Sequence, residues 1–261
     1  MKKTTSLIAA MLTTVALAGA AQALTIPAGP VTFHWTNYED SISGVGQNLQ
    51  GVFSLDTITI GTGNTALWTQ GQGGLFLYGD FQGLTVSSYG GNNLFVPTTF
   101  TGGSLNVYSM PTAFDLTKSA SIYTNMATAG SLWLTADFVP GANNAFPTSS
   151  LVSILTGSTG TNPNFTFNGS GSSYLDVTGG LEQAVFDTNG IAINGGGTAD
   201  MSMVNTFSIY PTTTTNPLSK GWPVLSSDPI KATAAPVPEP GTLALLGAGM
   251  LGLIGLKRRK A

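Results

Sequence analysis

Strict alternation of apolar and polar residues is what most narrows the folds open to this chain. In SLWLTADFV, residues 131–139, Leu132, Leu134, Ala136 and Phe138 share one parity, while Ser131, Thr135 and Asp137 share the other. A strand with one buried face requires this pattern, because successive side chains point to opposite sides of a sheet. Trp133 breaks the polar side and is expected at a rim or under a loop. MSMVNTFSI, residues 201–209, places Met201, Met203, Phe207 and Ile209 on one side, with Asn205 as the exception. GLFLYGDF and LNVYSM are short aromatic and β-branched runs of the same kind. Asn168-Gly169, Asn189-Gly190 and Asn194-Gly195 are dipeptides suited to tight turns, and the chain has 34 glycines. The pattern predicts an all-β fold, an antiparallel β-sandwich with a β-barrel as the alternative. Only DLTKSASIYTNMATAG (115–130) has the character of a short helix. LQGVFSLDT (49–57) echoes LEQAVFDT (181–188), but the two align only with gaps and read as unrelated segments.

The two ends differ from this body. MKKTTSLIAAMLTTVALAGAAQALT has two early lysines, a short apolar run and the small residues Ala21 and Ala23 around Gln22. That is the order of a secretory signal helix, with signal peptidase expected to cut between Ala23 and Leu24. A β domain is then expected over 24–210, followed at 211–236 by a Pro/Thr/Ser/Ala-rich linker whose prolines deny ladder hydrogen bonds; Trp222 would tack part of it to the domain. The last segment, 237–261, contains an apolar stretch at 241–256, about 24 Å long if helical at ~1.5 Å per residue. A hydrocarbon core is about 30 Å thick, so this reads as a slightly short transmembrane helix. Lys257, Arg258, Arg259 and Lys260 would hold its end on the cytoplasmic side.

Charge and cysteine content exclude several functions. Six of the nine Lys and Arg residues lie in the terminal segments, which leaves Lys118, Lys220 and Lys231 against all twelve carboxylates in residues 24–240. A body with nine net negative charges and no arginine lacks the clustered cations that nucleic-acid binding needs. The absence of cysteine removes disulfides, thiolate metal sites, thiol nucleophiles and lipoprotein acylation.

The tail VPEPGTLALLGAGMLGLIGLKRRKA resembles the PEP-CTERM sorting signal: the triplet Pro238, Glu239, Pro240, then an apolar segment, then a terminal basic cluster. The resemblance covers about the last 25 residues. It implies processing at or near the triplet by an exosortase, transient anchoring in the inner membrane of a Gram-negative cell, and delivery to the cell surface or extracellular matrix. Exopolysaccharide is then the expected neighbour, and Glu239 would be part of a recognition motif rather than a catalytic group. The resemblance implies nothing about residues 24–236.

The body offers little recognisable chemistry. His34 is the only histidine, so no multi-imidazole metal site exists, and a catalytic triad would have to be built on it alone. Glu39 and Asp40 are adjacent and would point to opposite faces of a strand. A carboxylate pair for glycoside hydrolysis would need assembly across the fold from residues such as Asp56, Asp80, Asp137 and Asp176. Asp187, Asn189 and Asp200 are oxygen ligands for a weak calcium candidate, against which stands ordinary turn chemistry. The glycine-rich stretches lack the Lys-Ser/Thr of a phosphate loop. No catalytic residue, metal or cofactor is therefore expected, and the leading function is a structural or adhesive protein of the biofilm matrix. The alternatives are a carbohydrate-binding module, with Trp35, Trp68 and Trp133 exposed to stack on sugars, and a polysaccharide hydrolase using paired carboxylates.

Overall fold

The structure, a computed structural model, describes residues 24–61, 65–158, 167–210 and 219–236. The signal segment up to Ala23, the sorting triplet, the apolar stretch 241–256 and the basic tail lie outside them. No helix among the described residues is long and apolar enough to cross a membrane.

Alternation becomes an antiparallel sheet of eleven strands. These are β1 (Gly29–Glu39), β2 (Asn48–Ile60), β3 (Thr65–Thr69), β4 (Phe76–Ser88), β5 (Pro97–Thr101), β6 (Ser104–Met110), β7 (Ser131–Val139), β8 (Leu151–Ser158), β9 (Phe167–Gly179), β12 (Met201–Ile209) and β13 (Val224–Ala234). The short strands β10 (Ile191–Ala192) and β11 (Thr198–Ala199) form a separate hairpin. Pairing runs β1–β2–β4 and also β1–β13–β12–β9, and the two arms meet. One bridge between β4 and β9 is the pair β6–β7, and the other is the pair β5–β8. The sheet is therefore ring-like, with two bridges stacked along the axis of the long strands.

Inward parity supplies the core. Val31, Phe33 and Trp35 of β1 face Phe53 and Leu55 of β2, Leu175 of β9, Met201 of β12 and Ile230 of β13 inside the ring. Phe53 opposes Gly79 and Phe81 opposes Gly51, so each ring lies over the bare backbone of the neighbouring strand. A Cβ on Gly79 would come within 2.1 Å of the Phe53 ring. The short helix α2 (Gln183–Phe186) closes one end of the ring, with Phe186 stacked edge-on to Phe33 at 5.2 Å and beside Trp133 at 6.2 Å. A second apolar cluster lies outside the sheet, where helix α1 (Ile122–Ala129) brings Ile122 and Met126 onto Tyr38, Val52 and Tyr78. The helix anticipated within 115–130 thus forms over its second half.

Three local readings of the sequence are corrected. Trp133 is a core residue, only 4% exposed, because a bulge pairs Val107 with Leu134 but Tyr108 with Leu132; the extra residue turns Trp133 inward and Leu132 outward. Asn168-Gly169 is no turn but lies inside β9, where Gly169 opposes Phe207. The echo at 181–188 falls on α2 and 49–57 on β2, in keeping with unrelated segments. Finally, the stretch read as a linker contains β13, which pairs with β1 over its whole length and with β12. Pro229 sits within it opposite His34, and the pairing with β12 is interrupted at that level, at Val204 and Asn205. A single missing N–H costs one ladder bond, which the continuous pairing with β1 outweighs. Trp222 does tack the start of this segment down, its indole N–H donating to the Leu116 carbonyl at 2.9 Å.

Candidate functional site: a polar floor inside the ring

The inward parity of β1 does not stop at Trp35. It continues through Asn37 and Glu39, both 6% exposed, while the facing positions of β13 are Ser226 and Asp228, 3% and 1% exposed. The antiparallel register sets Asn37 opposite Ser226 and Trp35 opposite Asp228, so the four polar side chains interlock diagonally. Asn37 Nδ2 donates to Asp228 Oδ2, and Ser226 Oγ donates to Glu39 Oε1. Asn205 joins them from β12. It faces Gly171 of β9, where a Cβ would lie 2.3 Å from Asn205 Oδ1; only a glycine leaves room for that amide.

This cluster forms the floor of an internal space lined also by Phe53, Phe81, Leu105 and Met203, with room for a group about the size of one water. Beyond Glu39 and Asn205, which border both spaces, lies a larger, solvent-open cavity of about 220 Å3. Its walls are mainly apolar: Phe100, Leu151, Leu155, Phe167, Phe207 and Ile209. Asp40, Tyr89, Gly91 and Asn92 stand at its mouth. The loop that carries Tyr89 continues into Leu94, Phe95 and Val96, all exposed, with Phe95 at φ 62° and its N–H tied to the Leu155 carbonyl.

Electrostatically the floor is an uncompensated acid. Burial raises the Asp228 carboxyl well above its ordinary range, and nearby Glu39 raises it further, against the opposing hydrogen bond from Asn37. Burial also raises Glu39, less effectively because Ser226 and Asn37 donate to it. The oxygens Asn37 Oδ1, Asn205 Oδ1 and Asp228 Oδ1 are buried without a partner, as is the indole N–H of Trp35.

Of the residues singled out from the sequence, Glu39 and Trp35 line the floor and Asp40 borders the larger cavity, and the rest lie elsewhere. Asp40, the neighbour of Glu39, points away from it and pairs with Lys118. His34 is on the outer face, its Nε2 3.4 Å from Thr59 Oγ1. Asp56 accepts from Thr36, and buried Asp80 accepts from Gln82. Asp137 and Asp176 are paired across β7 and β9 away from the cavity. Asp176 is pushed up to about 6, first by burial and then by a hydrogen bond to the neighbouring Asp200 carboxyl. Asp187, Asn189 and Asp200 are engaged in turn chemistry: Asp200 accepts the backbone N–H groups of Val177, Thr188 and Asn189, and Asn189 donates to Asp187. Among the described residues no group of three or more His, Asp or Glu is arranged to hold a metal. Trp35, Trp68 and Trp133 are 5%, 2% and 4% exposed, so the proposed stacking platform for sugars does not exist on the surface.

Residues 236–260 match the PEP-CTERM protein-sorting motif. The motif implies export, exosortase processing and a place at the cell surface. It covers the tail alone, and neither curated proteins nor solved structures provide a match to the chain.

Proposed function

We propose that this chain is an exosortase-delivered surface or matrix protein whose ring-like domain works as a small barrel open at one end, a container for a small ligand. The observation that carries this reading is the solvent-open cavity whose apolar walls lead to a buried floor of Glu39, Asp228, Asn37 and Asn205. Apolar walls with a few convergent polar groups are the usual makeup of a small-molecule site. Topology supports the same reading. The paired ends Glu39 and Val224 border the open cavity, whereas Ala234 pairs with Gly29 at the far end of the same strands, so both flanking segments leave from the end away from that cavity.

The role is binding rather than catalysis. Glu39 and Asp228 are two carboxylates in one cavity, but Asn37 hydrogen-bonds to both and the space beside them takes a water-sized group, too small for a glycosidic bond and its two sugars. A structural or adhesive part in an exopolysaccharide biofilm remains the setting in which such a container would act. The test uses the processed protein recovered from an exosortase-carrying Gram-negative host and titrated with the neutral fluorophore N-phenyl-1-naphthylamine. Saturable binding is expected, and Leu155→Trp, which fills the cavity, reduces it at least tenfold. Absence of saturable binding overturns the container reading.

A further inference from the structure

Resting on the container reading, the chemistry of the floor narrows the class of ligand. Asn37, Asn205 and Asp228 line the same small space, each is more than nine-tenths buried, and each has one oxygen without a partner. Trp35 adds one unpartnered donor, so the balance at the floor calls for donors on the ligand. The described residues supply no cation to it. Lys118 is paired with Asp40 and lies over Trp222, Lys220 lies over the Tyr38 ring, and Lys231 is exposed on the outer face of β13. Residues 24–236 contain no arginine, and His34 faces outward against Thr59.

We propose that the floor receives the primary ammonium group of an amphipathic amine, with its apolar chain lying along the mouth cavity. An alkylammonium carries three N–H donors and no acceptor, which matches three orphan oxygens. It also brings the positive charge that a buried acid pair lacks, and an uncompensated buried carboxylate is the costliest group a floor can contain. Size reinforces charge: the space fits a group like one water, which admits an ammonium but excludes a trimethylammonium or a sugar ring. Phe100, Leu151, Leu155, Phe167, Phe207 and Ile209 then enclose the chain.

The test displaces N-phenyl-1-naphthylamine from the same processed protein at pH 7.5 with octylammonium, octanol, octyltrimethylammonium or calcium chloride. Octylammonium is expected to displace the fluorophore at a concentration at least tenfold lower than octanol or octyltrimethylammonium, and Asp228→Asn is expected to reduce that advantage at least tenfold. Equal displacement by octanol overturns the ammonium assignment while leaving the container intact, because the fluorophore still binds. Competition of octylammonium by millimolar calcium overturns it in favour of a metal ion on the same oxygens. If Asp228→Asn does not fold, the comparison of octylammonium with octyltrimethylammonium on the unaltered protein decides.

Discussion

Asp228 and Glu39 share a floor but are held differently, and the difference sets how the protein responds to pH. Glu39 has a hydroxyl donor of its own in Ser226, whereas Asp228 depends on the Asn37 amide and leaves one oxygen bare. Both carboxyls are raised on folding, so both bind a proton more tightly in the folded chain than in the unfolded one. Their contribution to stability is complete below the ordinary carboxylate range and is lost as pH rises through their raised folded values. Asp176, pushed up to about 6, acts in the same direction. The melting temperature is therefore expected to fall between pH 5 and pH 8. Asp228→Asn keeps the acceptor for Asn37 and removes the ionisable group, so it should flatten this slope and raise the midpoint at pH 7.5 by about 2–8 °C, the shift that ~1–2 kcal/mol produces in a domain of this size. Calorimetry from pH 5 to 8 checks this. A variant that melts below the unaltered protein at every pH would show the charge to be stabilising.

Among elements, the ring depends on strands meeting at full contact. Phe53 over Gly79 and Phe81 over Gly51 form a reciprocal pair between β2 and β4, and each ring lies over the backbone of the opposing strand. Gly79→Ala would bring a methyl within 2.3 Å of the Asn106 carbonyl as well as onto the Phe53 ring. Overpacking of this kind typically costs about 1–3 kcal/mol, and backbone on one side leaves little room to yield. A loss of unfolding free energy of that size, read as a lower urea midpoint with an unchanged slope, is the expected result. The same elements show what alternation could and could not reveal. The inward side of β12 was legible, and its one exception, Asn205, proves to be a floor residue. The parity of β7 was misread at Trp133 because a bulge depends on the partner strand, which the sequence of one strand does not contain. Strand β13 was missed because Pro229, the prolines on either side of the strand and its small polar residues read as a linker. Its Ser226 and Asp228 become inward positions only when β1 pairs beside them.

For the whole molecule, the ring separates the address from the container. The sorting match begins at residue 236, two residues after β13 ends at Ala234, and the Ala235 N–H still bonds to the Val185 carbonyl. Cleavage at or near Pro238–Pro240 therefore leaves every strand of the sheet in place. Mass spectrometry of protein from hosts with and without the exosortase should find a C-terminus near the triplet only in the former. The unfolding free energy of that processed form, measured in urea, should equal that of the unprocessed chain within about 0.5 kcal/mol, the range of changes that touch no packed contact. An intact Lys257–Lys260 tail in the exosortase-carrying host would contradict the processing.

The sequence by itself determined the class of fold, the cysteine-free and sparsely charged body, the sorting tail, and the separation of Glu39 from Asp40, since each follows from composition, from local periodicity or from a contiguous motif. Tertiary structure alone decided that the sheet runs as a ring, that a supposed linker is a central strand, that the tryptophans are buried, and that Glu39 meets an aspartate 189 positions later in the chain. The physical reason is that periodicity reports which side a residue faces, whereas a site inside a closed sheet depends on which strands stand beside it, and that choice is made by long-range pairing.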